Sequence, residues 1–481
     1  MLTTLAAPAF AGTWYIEDGN ITISAGTEAG TNKVEQAGKD TVDNDKDTII
    51  TNQNKDTASS NTVTIDAGSD KVEVTLKDVN IDTSSRNKAA VSVTGEGDTN
   101  IKLNGDNALK SDIYRSGIYG SGSGSLTISG GENDSLTAQG GAGGSGIHIS
   151  RNGSLTISGG TITANGDDGG SGIYSSGGVT ISGGSTVTAN GGNGGSIGGG
   201  SGIYSNGSVT ISGGTVNAAG GDGKDGYGGD GIRSSSGGVT ISGGTVTANG
   251  GNSTNSSGGY GISSLDVAIS GGTVTANGGD SKDGYGGDGI HSNDIDLSGS
   301  LELTAKAGSP NGKALSQNGR ELDLDTIKDK LGPGAKVTAT DANGETKQVS
   351  IPRPVEPEGP VIPGDSSSSS DGGSAAPSAP AFSLPGLTVT DKDGQRISYT
   401  STQSGNTLTV CVGRFTASFR ISLAALRQLR AEGIETITFQ TILCSTTLSV
   451  DELLAMGGED AEVVLTHHIR SSTLTVGGKA V

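Results

Sequence analysis

The stretch GIRSSSGGVTISGGTVTANG, from Gly231 to Gly250, decides the fold of this 481-residue chain. It contains three short segments in which apolar and small polar residues alternate, and glycines separate the segments. Alternation with a period of two is typical of β-strands, whose successive side chains point to opposite faces. The stretch therefore predicts three strands joined by glycine-rich corners.

The same three segments recur along the chain at intervals of 24 to 30 residues. Their central apolar residues are Ile128, Ile157, Ile181, Ile211, Ile241, Ile269 and Leu297. Three strands in a repeat of this length are typical of a rung of a parallel β-helix, whereas a propeller blade needs about 40 residues and four strands. The sequence predicts an all-β, right-handed parallel β-helix with three short strands per rung, over residues 12–351.

The predicted rungs cannot be stable one at a time. In the quoted rung, the residues expected to point inward are Ile232, Val239, Ile241, Val246 and Ala248. Each larger side chain contributes about 1.5–3 kcal/mol when buried, which does not offset the ordering of some ~25 residues. Neighbouring rungs must bury one another's faces, so we expect the stability to be collective.

Four further segments complete the predicted organisation. Residues 1–11 resemble the end of a signal peptide, since Ala9-Phe10-Ala11 has the small-x-small form of a cleavage site, and this predicts an extracellular or cell-surface protein. A helix and a hairpin at 322–351 are expected to cap the β-helix. The Pro- and Ser-rich residues 352–384 predict a linker, and residues 385–481 a small α+β domain.

Secondary structure within the small domain follows from its pattern and from helix-capping residues. We expect strands at 387–391, 406–412 and 434–440, a helix from Leu423 to Ala431 capped by Ser422, and a second helix that starts at Ser449. The two cysteines of the chain, Cys411 and Cys444, both fall in this domain. One disulfide and two buried thiols are both compatible with the sequence.

The charge of the chain limits its partners. The net charge is −20, and residues 385–481 carry eight lysines and arginines against nine acidic residues, so nearly all of the excess lies upstream. Such a surface repels nucleic acid and anionic lipid. An acidic polysaccharide would need a bridging divalent cation. No stretch after the leader is apolar enough to span a membrane.

One outward-facing column, the ladder, is formed by the residue that follows the conserved isoleucine of each Gly-Ile segment. Its members are Tyr119, His148, Tyr174, Tyr204, Arg233, Ser263 and His291. Because rungs stack about 4.8 Å apart, rings that lie flush with the sheet would stack on the sugars of a linear polymer. Alternatively, the rings stack on one another and stabilise the sheet. The candidate carbohydrate-binding residues are Tyr119, His148, Tyr174, Tyr204, Arg233 and His291.

Two nearly identical loops follow strands of the repeat. GDGKDGYGGDGI starts at Gly221, and GDSKDGYGGDGI starts at Gly279. Carboxylate and carbonyl oxygens bind Ca²⁺, so each loop is a candidate calcium site, and its alternative is a solvated turn. The candidate metal ligands are Asp222, Asp225 and Asp230 in the first loop and Asp280, Asp283 and Asp288 in the second. The loops are two rungs apart, about 9.6 Å, so they cannot share one ion. The intervening loop at 250–262 keeps a Gly-Tyr-Gly but has no aspartate.

The segments VEVTLKDVNID (72–82), AAVSVTG (89–95) and TNIKLNGDNAL (99–109), followed by the GIY and VTISGG rungs, have a counterpart in a known family. Over roughly residues 14–350 the chain resembles the carbohydrate-binding β-helix family of clostridial cell-surface proteins, which look like polysaccharide lyases. The resemblance implies a binder of plant cell-wall polysaccharide with bound calcium. It transfers no individual binding residue.

These observations predict a secreted or cell-surface protein that binds a polysaccharide without cleaving it. The alternatives are a structural adhesin or spacer and a polysaccharide lyase. A lyase site would need several carboxylates and a basic residue on one face. Arg233 is the only arginine in the ladder, and Asp230 is expected on the loop side, so the sequence predicts no catalytic residue.

Overall fold

The structure, a computed structural model, describes residues 12–352 and 387–480. In the second range the gaps are 392–395, 398, 405, 413, 415, 432, 442–444, 457–460, 468–471 and 478. The predicted leader and nearly all of the predicted linker lie outside the described residues. The chain divides into two compact units between positions 357 and 358, and each unit has its own hydrophobic core.

The first unit is a parallel β-solenoid of about 12 turns, and each regular turn contributes three short strands. Equivalent strands of successive turns pair in parallel in three columns, called here the first, second and third sheets. The first two are joined through the long strands Ile262–Ile269 and Ile290–Leu297. This confirms the predicted fold class, because the three segments of the repeat are the three strands of a turn.

The first sheet contains the Gly-Ile segments and carries the ladder. Its parallel strands are Ile21–Ala25, Val63–Asp66, Val91–Thr94, Ile118–Gly120, Ile147–Ile149, Ile173–Ser175, Ile203–Ser205, Ile232–Ser234, the first part of Ile262–Ile269 and of Ile290–Leu297, and Leu315–Gln317. The short strand Arg320–Glu321 adds to this sheet in antiparallel fashion.

The second sheet contains the VTI segments. Its strands are Thr13–Tyr15, Ile49–Thr51, Val72–Lys77, Thr99–Asn104, Leu126–Ser129, Leu155–Ile157, Val179–Ile181, Val209–Ile211, Gly238–Ile241 and the second part of Ile262–Ile269 and of Ile290–Leu297.

The third sheet contains the TVTAN segments. Its parallel strands are Asn80–Asp82, Asp106–Lys110, Ser135–Ala142, Thr161–Asp167, Thr186–Asn190, Thr215–Ala219, Thr245–Asn249, Thr273–Asn277, Glu302–Lys306 and Lys336–Thr340.

The core runs along the interior of the solenoid. Ile232, Val239, Ile241, Val246 and Ala248 of the quoted rung are all fully buried, as the alternation predicts. Each pairs in register with an apolar residue of the same size class on the rungs above and below, as in the Ile203, Ile232 and Ile262 column. The buried faces are therefore shared between rungs, in agreement with collective stability.

The corner between the second and third sheets requires glycine. At Gly244 the backbone φ is +84°, in the left-handed region. A Cβ atom there would lie 2.6 Å from the carbonyl oxygen of Gly214 on the neighbouring rung. Only glycine meets both conditions without strain. The glycine content therefore serves tight corners and close rung stacking rather than disorder.

The C-terminal end of the solenoid is closed by the predicted helix and hairpin. The helix is a 3₁₀ helix, Leu324–Lys330, capped by the Asp323 carboxylate. Lys330 Nζ bonds the Asp296 carboxylate of the last second-sheet strand at 2.8 Å. The hairpin extends the third sheet, since Lys336–Thr340 pairs in parallel with the preceding rung and Thr346–Ser350 then pairs antiparallel.

The N-terminal end has a cap that the sequence did not predict. The antiparallel strands Asn32–Gln36 and Val42–Asp45 add to the first sheet, and a 3₁₀ turn spans Ile16–Asp18. The buried Trp14 donates from Nε1 to Asp45 Oδ2 at 3.1 Å. Polar loops interrupt the alternation here, so no repeat pattern marked these strands.

The second unit is a small α+β domain with two sheets. One contains Leu387–Thr390, Ala417–Ser422, Glu462–His467, Ser472–Val476 and Lys479–Ala480, and the other contains Thr400–Ser404, Thr407–Cys411, Thr436–Gln440 and Ser445–Ser449.

Two helices accompany these sheets, Leu423–Ala431 and Val450–Ala455. Ser422 Oγ accepts a hydrogen bond from Ala425 N, and Ser449 Oγ accepts one from Glu452 N, as the capping patterns predict. The core of the unit includes the fully buried rings of Phe419 and Phe439, 5.4 Å apart.

Candidate carbohydrate-binding face

The ladder predicted from the sequence is continuous on the first sheet. Backbone pairing places its members directly above one another on successive rungs, in the order Tyr119, His148, Tyr174, Tyr204, Arg233, Ser263 and His291. The structure therefore brings all six candidate carbohydrate-binding residues into one column.

The ladder rings do not lie flush with the sheet. His148 and Tyr174 stack with ring centres 4.4 Å apart, and Tyr174 and Tyr204 stack at 5.2 Å with an interplanar angle of 12°. Coplanar rings cannot approach so closely edge to edge, so the faces are turned toward each other. Burial lowers the pKa of the His148 imidazole, which keeps it neutral within the stack. Of the two alternatives that the sequence left open, the rings follow the second: the rungs are spaced so closely that the rings stack on one another.

The stack continues past the tyrosines. The Arg233 guanidinium lies 5.5 Å from the centre of the Tyr204 ring, a cation–π contact. At the other end, Tyr119 is tilted by 49° against His148 and is 37% exposed. The surface offered to a ligand is therefore a row of ring edges, with phenol hydroxyls, imidazole nitrogens and one guanidinium.

Tyr260 fills the one gap in the ladder, at Ser263. Its ring stacks on His291 at 4.4 Å and 12°, although it lies three residues before the ladder position. Burial, and next the nearby Asp288 carboxylate, raise the pKa of the Tyr260 hydroxyl, which stays a hydrogen-bond donor. Tyr260 was not predicted from the sequence. A serine at a ladder position, with a tyrosine just before the Gly-Ile pair, is the pattern that marks it.

Asp230 is buried beside the ladder rather than exposed on the loop. It is 5% exposed, its Oδ1 accepts a hydrogen bond from Tyr260 N at 2.8 Å, and its Oδ2 lies 3.5 Å from Arg233 Nη1. That separation is an ion pair, but Oδ2 has no hydrogen-bond partner among the described residues. Burial raises the pKa of the Asp230 carboxyl to about 6, against the lowering effect of Tyr260 N, Arg233 and His291. The expected loop-side position was wrong.

Asp288 occupies the equivalent place two rungs further on. It is buried, accepts a hydrogen bond from Lys313 N through Oδ1 at 2.7 Å, and lies 2.7 Å from His291 Nδ1 through Oδ2. Such a carboxylate holds the imidazole in one orientation and leaves Nε2 as its other polar atom. Asp230, Tyr260 and Asp288 thus form a second column behind the ladder.

Asp222 and Asp280 belong to a different column, on the loops. Asp222 Oδ1 accepts a hydrogen bond from Asn252 N, and Asn252 Oδ1 accepts one from Asp280 N. Asn193 and Ser309 extend the series on either side, with separations of 2.7 to 2.8 Å throughout. Each side chain thus bonds the backbone of the next rung, and asparagine alternates with aspartate.

Asp225 follows the same alternation. Its Oδ1 accepts a hydrogen bond from Asn255 Nδ2 at 2.6 Å, and backbone bonding places Asn255 between Asp225 and Asp283 on successive rungs. Like charges one rung apart repel one another. The middle loop therefore lacks aspartates where carboxylates would otherwise stack.

The register also corrects the alignment of the middle loop. Gly231 N bonds Tyr260 O and Gly261 N bonds Asp288 O, so Tyr260 occupies the position of Asp230 and Asp288. The loop tyrosines Tyr227 and Tyr285 instead share their column with Ser257. The Gly-Tyr-Gly of this loop is therefore not structurally equivalent to the Gly-Tyr-Gly of the two aspartate loops.

The predicted calcium ligands are not grouped. In the first loop all three aspartates accept a hydrogen bond from the next rung through Oδ1, and in the second loop Asp280 and Asp288 do so. Asp230 and Asp288 are buried beside the ladder. Across the described parts of both units, no three histidine, cysteine or acidic side chains lie close enough together to hold a metal ion. The calcium sites expected from the sequence stay untested, and the arrangement of the described carboxylates gives them no support.

The described residues of the second unit supply no comparable face. His467 is fully buried between the hydroxyls of Thr441 and Thr446, and burial lowers the pKa of its imidazole. Burial also raises the pKa of the Cys411 thiol. Cys444 and His468 lie outside the described residues, so the predicted choice between a disulfide and two thiols stays open.

None of the helices that the structure describes has the length and apolar character needed to cross a membrane.

Comparison with known proteins agrees with the solenoid. A family model for a β-helix repeat matches residues 155–173, 209–232, 239–264 and 267–294, all within the regular rungs. A search of curated proteins and a search of solved structures returned no match. The narrower resemblance to clostridial carbohydrate-binding proteins stays a prediction. The matched repeats and the three-sheet topology together support a parallel β-helix repeat protein.

Proposed function

We propose that this is an exported, cell-surface protein whose solenoid binds a polysaccharide along the ladder without cleaving it. The observation that carries the proposal is the unbroken register of Tyr119 through His291 on one sheet. The ladder presents hydrogen-bonding groups at a constant spacing of about 4.8 Å. A linear polymer of hydroxyl-bearing units is the ligand class that such a row complements.

The stacking favours binding by ring edges. Because each ring is already held by its neighbours, little side-chain entropy is lost when a ligand contacts it. Tyr hydroxyls both donate and accept hydrogen bonds, and Arg233 donates. Sugar hydroxyls satisfy both kinds of group.

The charge favours an uncharged glycan. The net charge is −20 and almost all of it lies upstream of residue 385. An anionic polysaccharide would be repelled along the whole solenoid. We therefore expect a neutral polysaccharide to bind directly, without a bridging cation.

The test is binding of the full chain to neutral polysaccharides, measured by titration calorimetry and by depletion onto insoluble polymer, with and without EDTA. Tyr119→Phe and Tyr204→Phe remove only a hydroxyl and leave a ring to stack. Each is expected to weaken binding several-fold. Tyr15→Phe is the matched control, because Tyr15 is also 37% exposed but lies on the second sheet. Failure of the unsubstituted protein to bind any polysaccharide would overturn the proposal.

A structural spacer or adhesin is the second candidate, and the ring-on-ring stacking favours it. A ladder whose rings stack on one another stabilises the sheet without a ligand. In that case Tyr119→Phe and Tyr204→Phe would leave glycan binding absent and thermal stability unchanged. Release of unsaturated sugars, seen as ultraviolet absorbance, would instead identify a polysaccharide lyase.

A further inference from the structure

Two tyrosines outside the ladder are unusually exposed. Tyr227 is 68% exposed and Tyr285 is 65% exposed, on the loops that start at Gly221 and Gly279. Among the described residues no ring contact joins either of them to another aromatic side chain. Their faces are open, unlike those of the ladder tyrosines.

The loops that carry them are ordered parts of the solenoid. Gly223, Ser253 and Ser281 form bridges between successive loops. Gly199 N bonds Tyr227 O, and Gly258 N bonds Tyr285 O, each at 2.9 Å. The backbone at both tyrosines is thus held in rung register, although no strand is formed.

The register fixes the spacing of the two tyrosines along the backbone. Gly228 N bonds Ser257 O at 2.9 Å, which places Ser257 between the tyrosines in one column. Tyr227 and Tyr285 are therefore two rungs apart, about 9.6 Å along the axis. The small serine leaves space between them, so a planar group can lie against either ring without displacing the other.

The charges around the pair exclude an anionic occupant. Lys224 and Asp225 precede Tyr227, and Lys282 and Asp283 precede Tyr285, so opposite charges balance beside each ring. The remaining aspartates make each loop acidic overall. An uncharged ligand with apolar faces and hydroxyl edges fits both the rings and the flanking polar groups.

We infer that Tyr227 and Tyr285 form a sugar-stacking pair, on which a neutral polysaccharide places sugar rings two rungs apart. This inference rests on the proposed function and assigns to the loop corner the stacking role that the ladder rings cannot perform. The ladder supplies hydrogen bonds through ring edges, and the corner supplies ring faces.

The test uses the full chain and soluble neutral polysaccharides as probes: xyloglucan, galactomannan and mixed-linkage β-glucan. Tyr227→Ala and Tyr285→Ala are each expected to weaken binding of the bound polymer about tenfold, and the double variant more. Tyr114→Ala is the control, because Tyr114 is 78% exposed but lies in another loop column. Melting curves of all variants check the fold.

Ser257→Tyr adds a discriminating outcome. A third ring between the pair would stack on both and cover the faces, so binding is expected to fall. A rise in affinity would mean that aromatic area alone matters, which contradicts a spaced pair. If the unsubstituted protein binds but all tyrosine variants bind equally well, the inference fails and the proposed function stands. If the unsubstituted protein binds no polysaccharide, both the inference and the proposed function fail.

Discussion

The ring of Tyr260 stacks on the ring of His291, 4.4 Å away, although the two residues occupy different columns of the solenoid. Tyr260 reaches the ladder because Ser263, the ladder residue of its own rung, is small. The aromatic column is thereby carried past the rung at which the repeat itself supplies no ring.

Tyr260→Ala should destabilise the solenoid by about 1 kcal/mol, through the loss of this aromatic contact. The measurement is the thermal or denaturant midpoint of the full chain. Tyr285→Ala is the control, since that ring makes no aromatic contact among the described residues and should leave the midpoint unchanged. Equal midpoints for Tyr260→Ala and the unsubstituted protein would show that the stack contributes nothing.

Asp230 should make stability depend on pH. Burial raises the pKa of its carboxyl to about 6, from an ordinary value of 3.8, so the folded state binds the proton more tightly than the unfolded chain. Its contribution to stability is therefore full below pH 4 and is lost as the pH rises from about 4 to about 6.

Asp230→Asn should abolish this loss of stability between about pH 4 and about pH 6. The variant keeps an acceptor for Tyr260 N but carries no buried charge, so at pH 7 it should be as stable as the unsubstituted protein or more stable, by up to about 3 kcal/mol. Urea unfolding at pH 4, 5, 6 and 7 measures the free energy of unfolding of the variant and of the unsubstituted protein. Asp222→Asn is the control, because Asp222 is exposed, and it should keep the dependence of the free energy of unfolding on pH. If the free energy of unfolding of Asp230→Asn depended on pH as strongly as that of the unsubstituted protein, Asp230 would not be the cause of the pH dependence.

The alternation of asparagine and aspartate predicts an unfavourable substitution. Asn252→Asp keeps the acceptor for Asp280 N but places three carboxylates on successive rungs. Two like-charge contacts near 5 Å should cost about 1 kcal/mol or more at low salt. The melting temperature should therefore fall at pH 7 and recover at pH 3 or in 1 M salt.

Calcium should not stabilise the fold through the two aspartate loops. Five of the six carboxylates accept a hydrogen bond from the next rung, and no three of the six lie together in the described structure. We expect equal melting temperatures with 1 mM calcium and with EDTA. A calcium-dependent rise that disappears in Asp225→Asn or Asp283→Asn would restore the calcium sites that the sequence suggests.

The sequence predicted the fold well because one physical rule determines it. Alternation with a period of two assigns Ile232, Val239 and Val246 to the interior, and the recurrence of the same three segments then indicates which strands pair. The helix at Leu423–Ala431 was also predicted to the residue, since Ser422 and Gly433 mark its ends.

The site was predicted only in part. The order of the ladder follows from backbone register, which the repeat encodes. The orientation of its rings does not, because it depends on how neighbouring side chains cover one another. The stacking of Tyr260 and the position of Asp230 beside the ladder were not predicted for a related reason: the glycine loops vary in length, and only the backbone hydrogen bonds show that these residues share a column.

The central claim is that the solenoid binds a neutral polysaccharide without breaking it. The most direct measurement is one titration of the full chain with a soluble neutral polysaccharide, in which heat of binding, polymer length and ultraviolet absorbance are followed together. The account predicts saturable heat, unchanged polymer length and no new absorbance. Absence of binding across the panel, or shortening of the bound polymer, would contradict it.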